Sequence, residues 1–356
     1  MKLADAFAQC RTPADFYRVQ IMLENERTPL ELLEQFECRD ELAPPARKWI
    51  SALEDMMRRG SEHIQPFMRT SLSENVQFYH VGTGNGAKSL LIGFCGNFQR
   101  LMMPLPIFLQ HVPADIFDVV ILKDPGRDFF LRGVPGYVSS LAQLPERLER
   151  DLPLARYASV RCIGTSAGGA AALVAGEVFG AERALSFGGG HPARAAESLE
   201  SKGLNGTELD LVFANAKRSC GRKLAFFGER NECDRETARS LCRVFAGTRV
   251  APVRGVSTHN IFYELLERKE LADFIADSLL GGREILEEGL EPETDAGQSF
   301  PSRSAKRGKP SAVFRLRRGW RRFGGRDQIL FWLKQFIRHP WELLTRRRSG
   351  NVAEKD

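Results

Sequence analysis

The sequence lacks an apolar run long enough to cross a membrane. No stretch of about 18 or more apolar residues occurs, although 43% of its 356 residues are hydrophobic. We therefore predict no transmembrane helix. Asp5 interrupts the apolar region that a secretory signal would build near the start of the chain. These absences indicate a globular protein with a substantial core, which we expect in the cytoplasm.

Paired cysteines are also missing. The seven cysteines are scattered and form no Cys-x-x-Cys pair. Such a set fits a reducing compartment better than a disulfide framework or a zinc site. We therefore expect neither a metal nor a cofactor. Cys95 and Cys162 lie in strand-like runs, and we interpret them as small buried hydrophobes.

The net charge of +6 is unevenly distributed. Between residues 301 and 350 there are 15 Lys or Arg residues and two acids, Asp327 and Glu342. The 300 residues before this stretch are acidic on balance. The positive charge is therefore a property of the C-terminal tail and not of the main body.

The most informative stretch that is present reads VRCIGTSAGGAAAL, from residue 160 to residue 173. It begins apolar and extended, tightens into Gly-x-Ser-x-Gly-Gly, and continues as an Ala-rich helix. Such a turn strains the serine backbone and requires small neighbours, which Gly164 and Gly168 provide. Ser166 then lies at the positive end of the following helix, where a nucleophile that attacks a carbonyl belongs. An ordinary glycine turn is the alternative, but the flanking strand and helix favour the nucleophile.

Strands and helices alternate from residue 75 onward. Predicted strands cover 76–81, 89–95, 116–122, 160–165, 183–187, 224–228 and 248–253, with helices over 101–111, 138–150, 168–179, 234–245 and 260–280. Short apolar strands in this rhythm predict an α/β protein with a mostly parallel, doubly wound sheet and helices on both faces. Functional residues of such a sheet lie at the carboxyl ends of its strands.

Four segments follow from these patterns. Residues 1–74 read as helices, which we interpret as a layer packed on the main domain, with a lid over the site as the alternative. Residues 75–281 form the α/β domain. Residues 282–312 are polar and aperiodic, which is typical of a flexible linker. Residues 313–356 form a basic amphipathic tail.

A serine nucleophile needs a base and an orienting acid. Of six histidines, only His259 follows the last strand of the α/β region and opens its last helix. The acid should follow the preceding strand, where Glu229, Glu232 and Asp234 compete. We favour Asp234, although a carboxylate at a helix start also has a plain capping role.

Other residues at strand ends complete the predicted site. The oxyanion requires two backbone N–H donors, which we assign to Ala167 and to Asn97, after Gly96. Phe98 is a candidate substrate contact. His191, which follows the glycines after strand 183–187, either lines the substrate cleft or is a turn residue.

These motifs resemble the α/β-hydrolase fold. The matching features are the elbow at Ser166, the chain order Ser166, Asp234, His259, and the turn at Gly96 and Asn97. The resemblance covers residues 75–280 and implies a serine hydrolase or acyl-transfer enzyme that forms an acyl-enzyme. It does not identify a substrate, so small or lipid-like esters and thioesters stay open. A binding or scaffold protein that retains the fold is the alternative function.

The tail between residues 313 and 348 interleaves arginines with apolar and aromatic residues, including three of the four tryptophans. Six apolar or proline positions fall on one helical face: Ile329, Leu333, Phe336, Ile337, Pro340 and Leu344. This pattern is typical of a helix at an anionic membrane surface. Docking on the acidic body or on a protein partner is the second interpretation, and nucleic acid is the least favoured.

Overall fold

The computed structural model describes residues 3–37, 39–60, 63–82 and 88–281. The predicted linker and basic tail lie outside the described residues. Within these ranges, no helix combines the length and apolar character needed to cross a membrane.

One eight-stranded sheet organises the chain. Its strands are β1 (Met68–Ser73), β2 (Val76–His80), β3 (Ser89–Phe94), β4 (Phe117–Leu122), β5 (Ser159–Thr165), β6 (Arg183–Phe187), β7 (Arg222–Gly228) and β8 (Thr248–Val253). Their spatial order is β1-β2-β4-β3-β5-β6-β7-β8. The pairs β1/β2 and β2/β4 are antiparallel, and all other neighbours are parallel. The predicted mostly parallel sheet is confirmed.

Twelve α-helices lie in the described ranges. They are α1 (Leu3–Ala8), α2 (Pro13–Glu26), α3 (Pro29–Glu37), α4 (Pro44–Gly60), α5 (Leu105–Gln110), α6 (Leu144–Asp151), α7 (Gly169–Phe179), α8 (Ala196–Glu200), α9 (Glu208–Ala214), α10 (Glu232–Val244), α11 (Ile261–Glu267) and α12 (Leu271–Leu280).

Helices cover both faces of the sheet, because alternate strand residues point to opposite sides. On one face, α6, α7, α9 and α10 share a core with alternate residues of β2 to β8. On the other, Phe187 stacks on Phe226 with ring centroids 4.6 Å apart. Phe262 of α11 and Phe274 of α12 pack against these rings at 4.8 Å and 5.5 Å. The sheet is therefore buried between two layers of helices.

The N-terminal helices pack through α2, α3 and α4 against α5. Inside this layer, Trp49 Nε1 donates a buried hydrogen bond of 2.9 Å to Glu24 Oε1 and joins α4 to α2. The sheet begins earlier than predicted, since β1 lies in the segment assigned to helices. None of the six residues of β1 is buried and three are exposed at the sheet edge, so its sequence carries little apolar alternation.

The last predicted helix, over 260–280, is wrong in one respect. The chain forms two helices there, α11 and α12, and Lys269 between them has a left-handed φ of 59°. Its N–H bonds to the Leu266 carbonyl and the N–H of Glu270 bonds to the Leu265 carbonyl, which closes the end of α11. Glycine is the usual residue at a helix end of this kind. A lysine at this position therefore does not indicate in the sequence that the helix ends. The short helices α8 and α9 were also not predicted.

Candidate active site

The chain turns from β5 into α7 with Ser166 at the apex. Ser166 has a φ of +51°, a left-handed conformation that serine rarely adopts. A Cβ on Gly164 would lie 2.1 Å from the Gly168 carbonyl oxygen, and one on Gly168 would lie 2.2 Å from the Phe94 carbonyl oxygen. Neither position has room for a side chain. The close contacts therefore enforce the strained turn that displays the serine.

Two neighbouring loops enclose this turn. A Cβ on Gly96, after β3, would lie 3.2 Å from Ser166 Cβ. On the other side, a Cβ on Gly169 would lie 2.6 Å from Gly189 Cα, after β6. Ser166 is half-buried between the carboxyl ends of three adjacent strands, as a site at this edge requires.

His259 and Asp234 meet at the same edge. His259 Nδ1 lies 3.0 Å from Asp234 Oδ1 and 2.9 Å from Oδ2. Asp234 is buried at 5% exposure, whereas the His259 side chain is 27% exposed. With Nδ1 donating to the carboxylate, Nε2 is the nitrogen available to accept a proton. A buried carboxylate beside Nδ1 also stabilises the imidazolium that forms when Nε2 accepts that proton.

Asn231, and not Asp234, is the residue that caps α10. The backbone N–H of Asp234 donates to the Asn231 side-chain oxygen at 3.1 Å, which makes Asn231 the cap of α10. The Asn231 amide also donates to Asp234 Oδ2 at 3.0 Å. Asn231 therefore orients the carboxylate, a role that the sequence did not reveal.

The two competing acids are engaged elsewhere. Glu229 Oε2 accepts a 2.7 Å hydrogen bond from the Gly255 N–H. Glu232 pairs with Arg235 at 2.9 Å, and its side chain is 75% exposed. Of the three acids that followed β7 in the prediction, the structure brings Asp234 to His259.

His259 lies against the loops that flank the elbow. A Cβ on Gly188, which follows β6, would lie 2.9 Å from His259 Cε1 and 2.9 Å from Met102 Cε. Asn260 Nδ2 donates to the Met102 carbonyl at 2.7 Å and ties the histidine loop to the chain after β3. Among the described residues, no hydrogen bond joins Ser166 to His259. Such bonds often form only once substrate is bound.

The predicted oxyanion loop follows β3 as a tight turn. The Gly96 N–H bonds to the Arg100 carbonyl at 3.1 Å, and the Gln99 N–H bonds to the Gly96 carbonyl at 2.9 Å. Asn97 is exposed at the tip. Ala167 begins the helical turn after Ser166, where the first N–H groups have no intrahelical acceptor. Ala167 is thus the chain neighbour of Ser166, and Asn97 follows Gly96, the residue whose added Cβ would lie 3.2 Å from Ser166 Cβ.

Cys95 is a second nucleophilic residue next to this turn. Its side chain is 1% exposed, and burial raises the pKa of its thiol to about 12. The thiol therefore stays protonated near neutral pH and does not compete with Ser166.

His191 does not line an open cleft. Its ring is 2% exposed, Nε2 lies 2.6 Å from Asp210 Oδ1, and Nδ1 accepts the Ala193 N–H at 3.3 Å. Both ring nitrogens hold the chain after β6. Of the two predicted roles of His191, the turn residue therefore fits the structure and the substrate contact does not. Phe98, in contrast, is 51% exposed in the turn that follows β3.

No protein-family model matches the chain, and no curated protein sequence matches it. Solved structures do resemble it. The 2,6-dihydroxy-pseudo-oxynicotine hydrolase is 14% identical with a TM-score of 0.46, and the match covers 72% of this chain and 82% of that one. Esterase B from Lactobacillus rhamnosis is 11% identical with a TM-score of 0.39, over 70% and 99% of the two chains. The S-formylglutathione hydrolase FrmB from Staphylococcus aureus is 12% identical with a TM-score of 0.40, over 59% and 95%.

The fold follows from the topology of the chain itself. Three features are those of the α/β-hydrolase architecture. They are the strand order, the two antiparallel pairs at the β1 edge, and the strained serine turn after β5. Ser166, Asp234 and His259 follow β5, β7 and β8 in that order. The chain therefore has the α/β-hydrolase fold.

Proposed function

We propose that this protein is a serine hydrolase or acyl-transfer enzyme that acts on an ester-like or thioester-like carbonyl. The observation that carries the proposal is the His259–Asp234 pair, at 2.9 Å, at the same edge of the sheet as a serine held at a φ of +51°. Neither feature is needed to build the sheet. A strained serine at the same sheet edge as a carboxylate-oriented histidine supplies the groups that nucleophilic catalysis requires.

The chemistry follows from the roles of these groups. His259 Nε2 removes the proton from the Ser166 hydroxyl as Oγ attacks the carbonyl carbon. The resulting oxyanion is stabilised by the backbone N–H groups of Ala167 and Asn97. The tetrahedral intermediate then collapses, the leaving group takes the proton from His259, and an acyl-enzyme forms. Water or another acceptor, deprotonated by His259, releases the acyl group.

A fluorophosphonate probe tests the proposal, because it reacts with activated serines irrespective of their natural substrate. We expect covalent labelling at Ser166 in the wild-type protein, loss of labelling in Ser166→Ala, and much slower labelling in His259→Ala. Ser201→Ala is the matched control, because Ser201 is an exposed serine that bonds to the Ser198 carbonyl. Absence of labelling in folded wild-type protein would contradict the proposal.

That negative result would favour the alternative function, a binding or scaffold protein that retains the fold. If labelling occurs, esters and thioesters of graded acyl length distinguish hydrolysis from acyl transfer. Free acid released without an added acceptor indicates a hydrolase, whereas acyl-acceptor product formed in competition with water indicates a transferase.

We further propose that residues 313–348 bring the enzyme to an anionic membrane surface. The segment lies outside the described residues, so its arginine and aromatic composition carries the proposal. Sedimentation of the full chain with phosphatidylserine-containing vesicles, compared with phosphatidylcholine vesicles, tests it. Equal binding after removal of residues 313–356, or no binding at all, would contradict the membrane proposal and return the tail to the other two interpretations.

A further inference from the structure

The turn that carries Asn97 is closed by the backbone of Arg100. The Arg100 carbonyl accepts the Gly96 N–H at 3.1 Å and the Thr165 hydroxyl at 3.4 Å. Thr165 immediately precedes Ser166. One peptide group therefore holds both the oxyanion loop and the start of the elbow.

The side chain of Arg100 reaches in the opposite direction, to the N-terminal layer. Its guanidinium forms an ion pair with Glu24 of α2, and both side chains are 5% exposed. The other carboxylate oxygen of Glu24 accepts the Trp49 indole N–H at 2.9 Å. A buried ion pair with its remaining oxygen satisfied resists separation, because breaking it leaves a charge in a medium of low dielectric constant.

A second contact joins the same helix to the same turn. The Asn25 side-chain amide donates to the Phe98 carbonyl at 3.1 Å. The Phe98 carbonyl belongs to the 98–99 peptide, so this bond fixes the turn two peptide groups after the one that bears the predicted oxyanion donor. Two adjacent residues of α2 thus hold the turn at Phe98 and at Arg100.

We propose that α2 is a positioning element of the oxyanion hole, with Glu24 and Asn25 fixing the 96–100 turn so that the Asn97 N–H meets the developing oxyanion. The inference rests on the proposed function and assigns a task to the N-terminal layer. It argues against a lid, because opening would break the buried ion pair. Glu24 and Asn25 touch no reacting atom and act through the turn.

Asn25→Ala is the sharpest test, since it removes one neutral hydrogen bond and leaves the buried ion pair intact. We expect kcat for p-nitrophenyl acetate to fall about tenfold to a hundredfold, because a small displacement of a catalytic donor has an effect of that size. KM should stay within about twofold. Affinity for a trifluoromethyl ketone, which forms an oxyanion on Ser166, should fall by the same factor as kcat/KM.

Thr28→Ala is the matched control in the same layer. Thr28 caps α3 by accepting the Glu31 N–H at 3.1 Å, and it is 2% exposed. We expect Thr28→Ala to lower the melting temperature but to leave kcat and the inhibitor affinity unchanged. If both variants lose kcat in proportion to lost stability, the layer has only a structural role and the inference is wrong.

Other outcomes are equally decisive. If Asn25→Ala does not fold, Asn25→Ser retains a small polar residue that is too short to reach the Phe98 carbonyl, and the same pattern is expected. Unchanged kcat and unchanged inhibitor affinity in a folded Asn25 variant would overturn the inference. Wild-type labelling by a fluorophosphonate separates the two hypotheses, because it tests the proposed function without reference to α2.

Discussion

Asp234 receives the Nδ1 hydrogen bond of His259 on both carboxylate oxygens, at 3.0 Å and 2.9 Å. The bifurcated contact fixes the plane of the imidazole as well as its tautomer, because rotation of the ring would lengthen one of the two bonds. Asn231 holds the carboxylate from the other side at 3.0 Å. The acid, its orienting amide and the histidine therefore form one connected unit.

Replacing Asp234 by Asn should abolish most of the activity while leaving the fold intact. The amide can hold His259 only in the wrong tautomer and does not stabilise an imidazolium, so we expect kcat to fall about a thousandfold to ten-thousandfold. Ester hydrolysis measured under saturating substrate checks this. Glu229→Gln and Glu232→Gln should retain nearly wild-type kcat, and a large loss in either one instead would reassign the acid.

The elbow glycines should tolerate no side chain. A Cβ on Gly164 would lie 2.1 Å from a backbone oxygen, so Gly164→Ala must displace the elbow. We expect it to lower the free energy of unfolding by about 1–3 kcal/mol or more and to abolish fluorophosphonate labelling. Gly190→Ala is the control, because its nearest neighbour is a Thr237 side-chain carbon at 3.4 Å. Equal stability of the two variants in urea unfolding would contradict the close packing around Gly164.

Acid should destabilise the protein partly through His111. Both ring nitrogens are buried without a hydrogen-bond partner, and burial lowers the pKa of His111 to about 4. In the unfolded chain the pKa returns to about 6.5, so the unfolded state binds the extra proton between these values. The free energy of unfolding is therefore unaffected by the protonation of His111 above pH 6.5. It falls as the pH is lowered toward 4, by about 3 kcal/mol in total.

His111→Leu should remove this part of the pH dependence. We expect the difference in unfolding free energy between wild type and variant to shift in favour of the variant as the pH falls from 7 to 4. Urea titrations of both proteins at several pH values provide the measurement. A difference that stays constant over this range would show that His111 is not a buried neutral group.

The break between α11 and α12 offers a stabilising substitution. Lys269 is exposed and has a φ of 59°, which costs an L-residue about 1 kcal/mol relative to glycine. Relief of this strain is offset in part by the greater freedom of the unfolded chain. Lys269→Gly should therefore raise the free energy of unfolding by a net amount of about 0.5–1 kcal/mol. Lys269→Ala, which keeps the strain, should show no gain. Thermal unfolding of the two variants distinguishes conformational relief from the loss of the lysine charge.

The parts of the fold that depend on local pattern could be predicted. Short apolar runs marked seven of the eight strands, and the missed strand, β1, has no buried residue and lies at the sheet edge. The elbow stretch was recognisable because strand, turn and helix follow one another within it. The left-handed conformation of Lys269 depends on the packing of α11 and α12, and a lysine in the sequence does not indicate it.

The sequence by itself determined the order of the elements and which residues follow which strand, since hydrophobic spacing and the Gly-x-Ser-x-Gly turn are local properties. Only the tertiary structure brought Asp234, and not Glu229 or Glu232, to His259, buried His191 against Asp210, and joined α2 to the turn after β3. The physical reason is distance along the chain. Asp234 and His259 are 25 residues apart, Asn25 and Phe98 are 73 apart, and Glu24 and Arg100 are 76 apart. Such contacts exist only after the parallel strands bring their carboxyl ends to one edge and the helices pack around it.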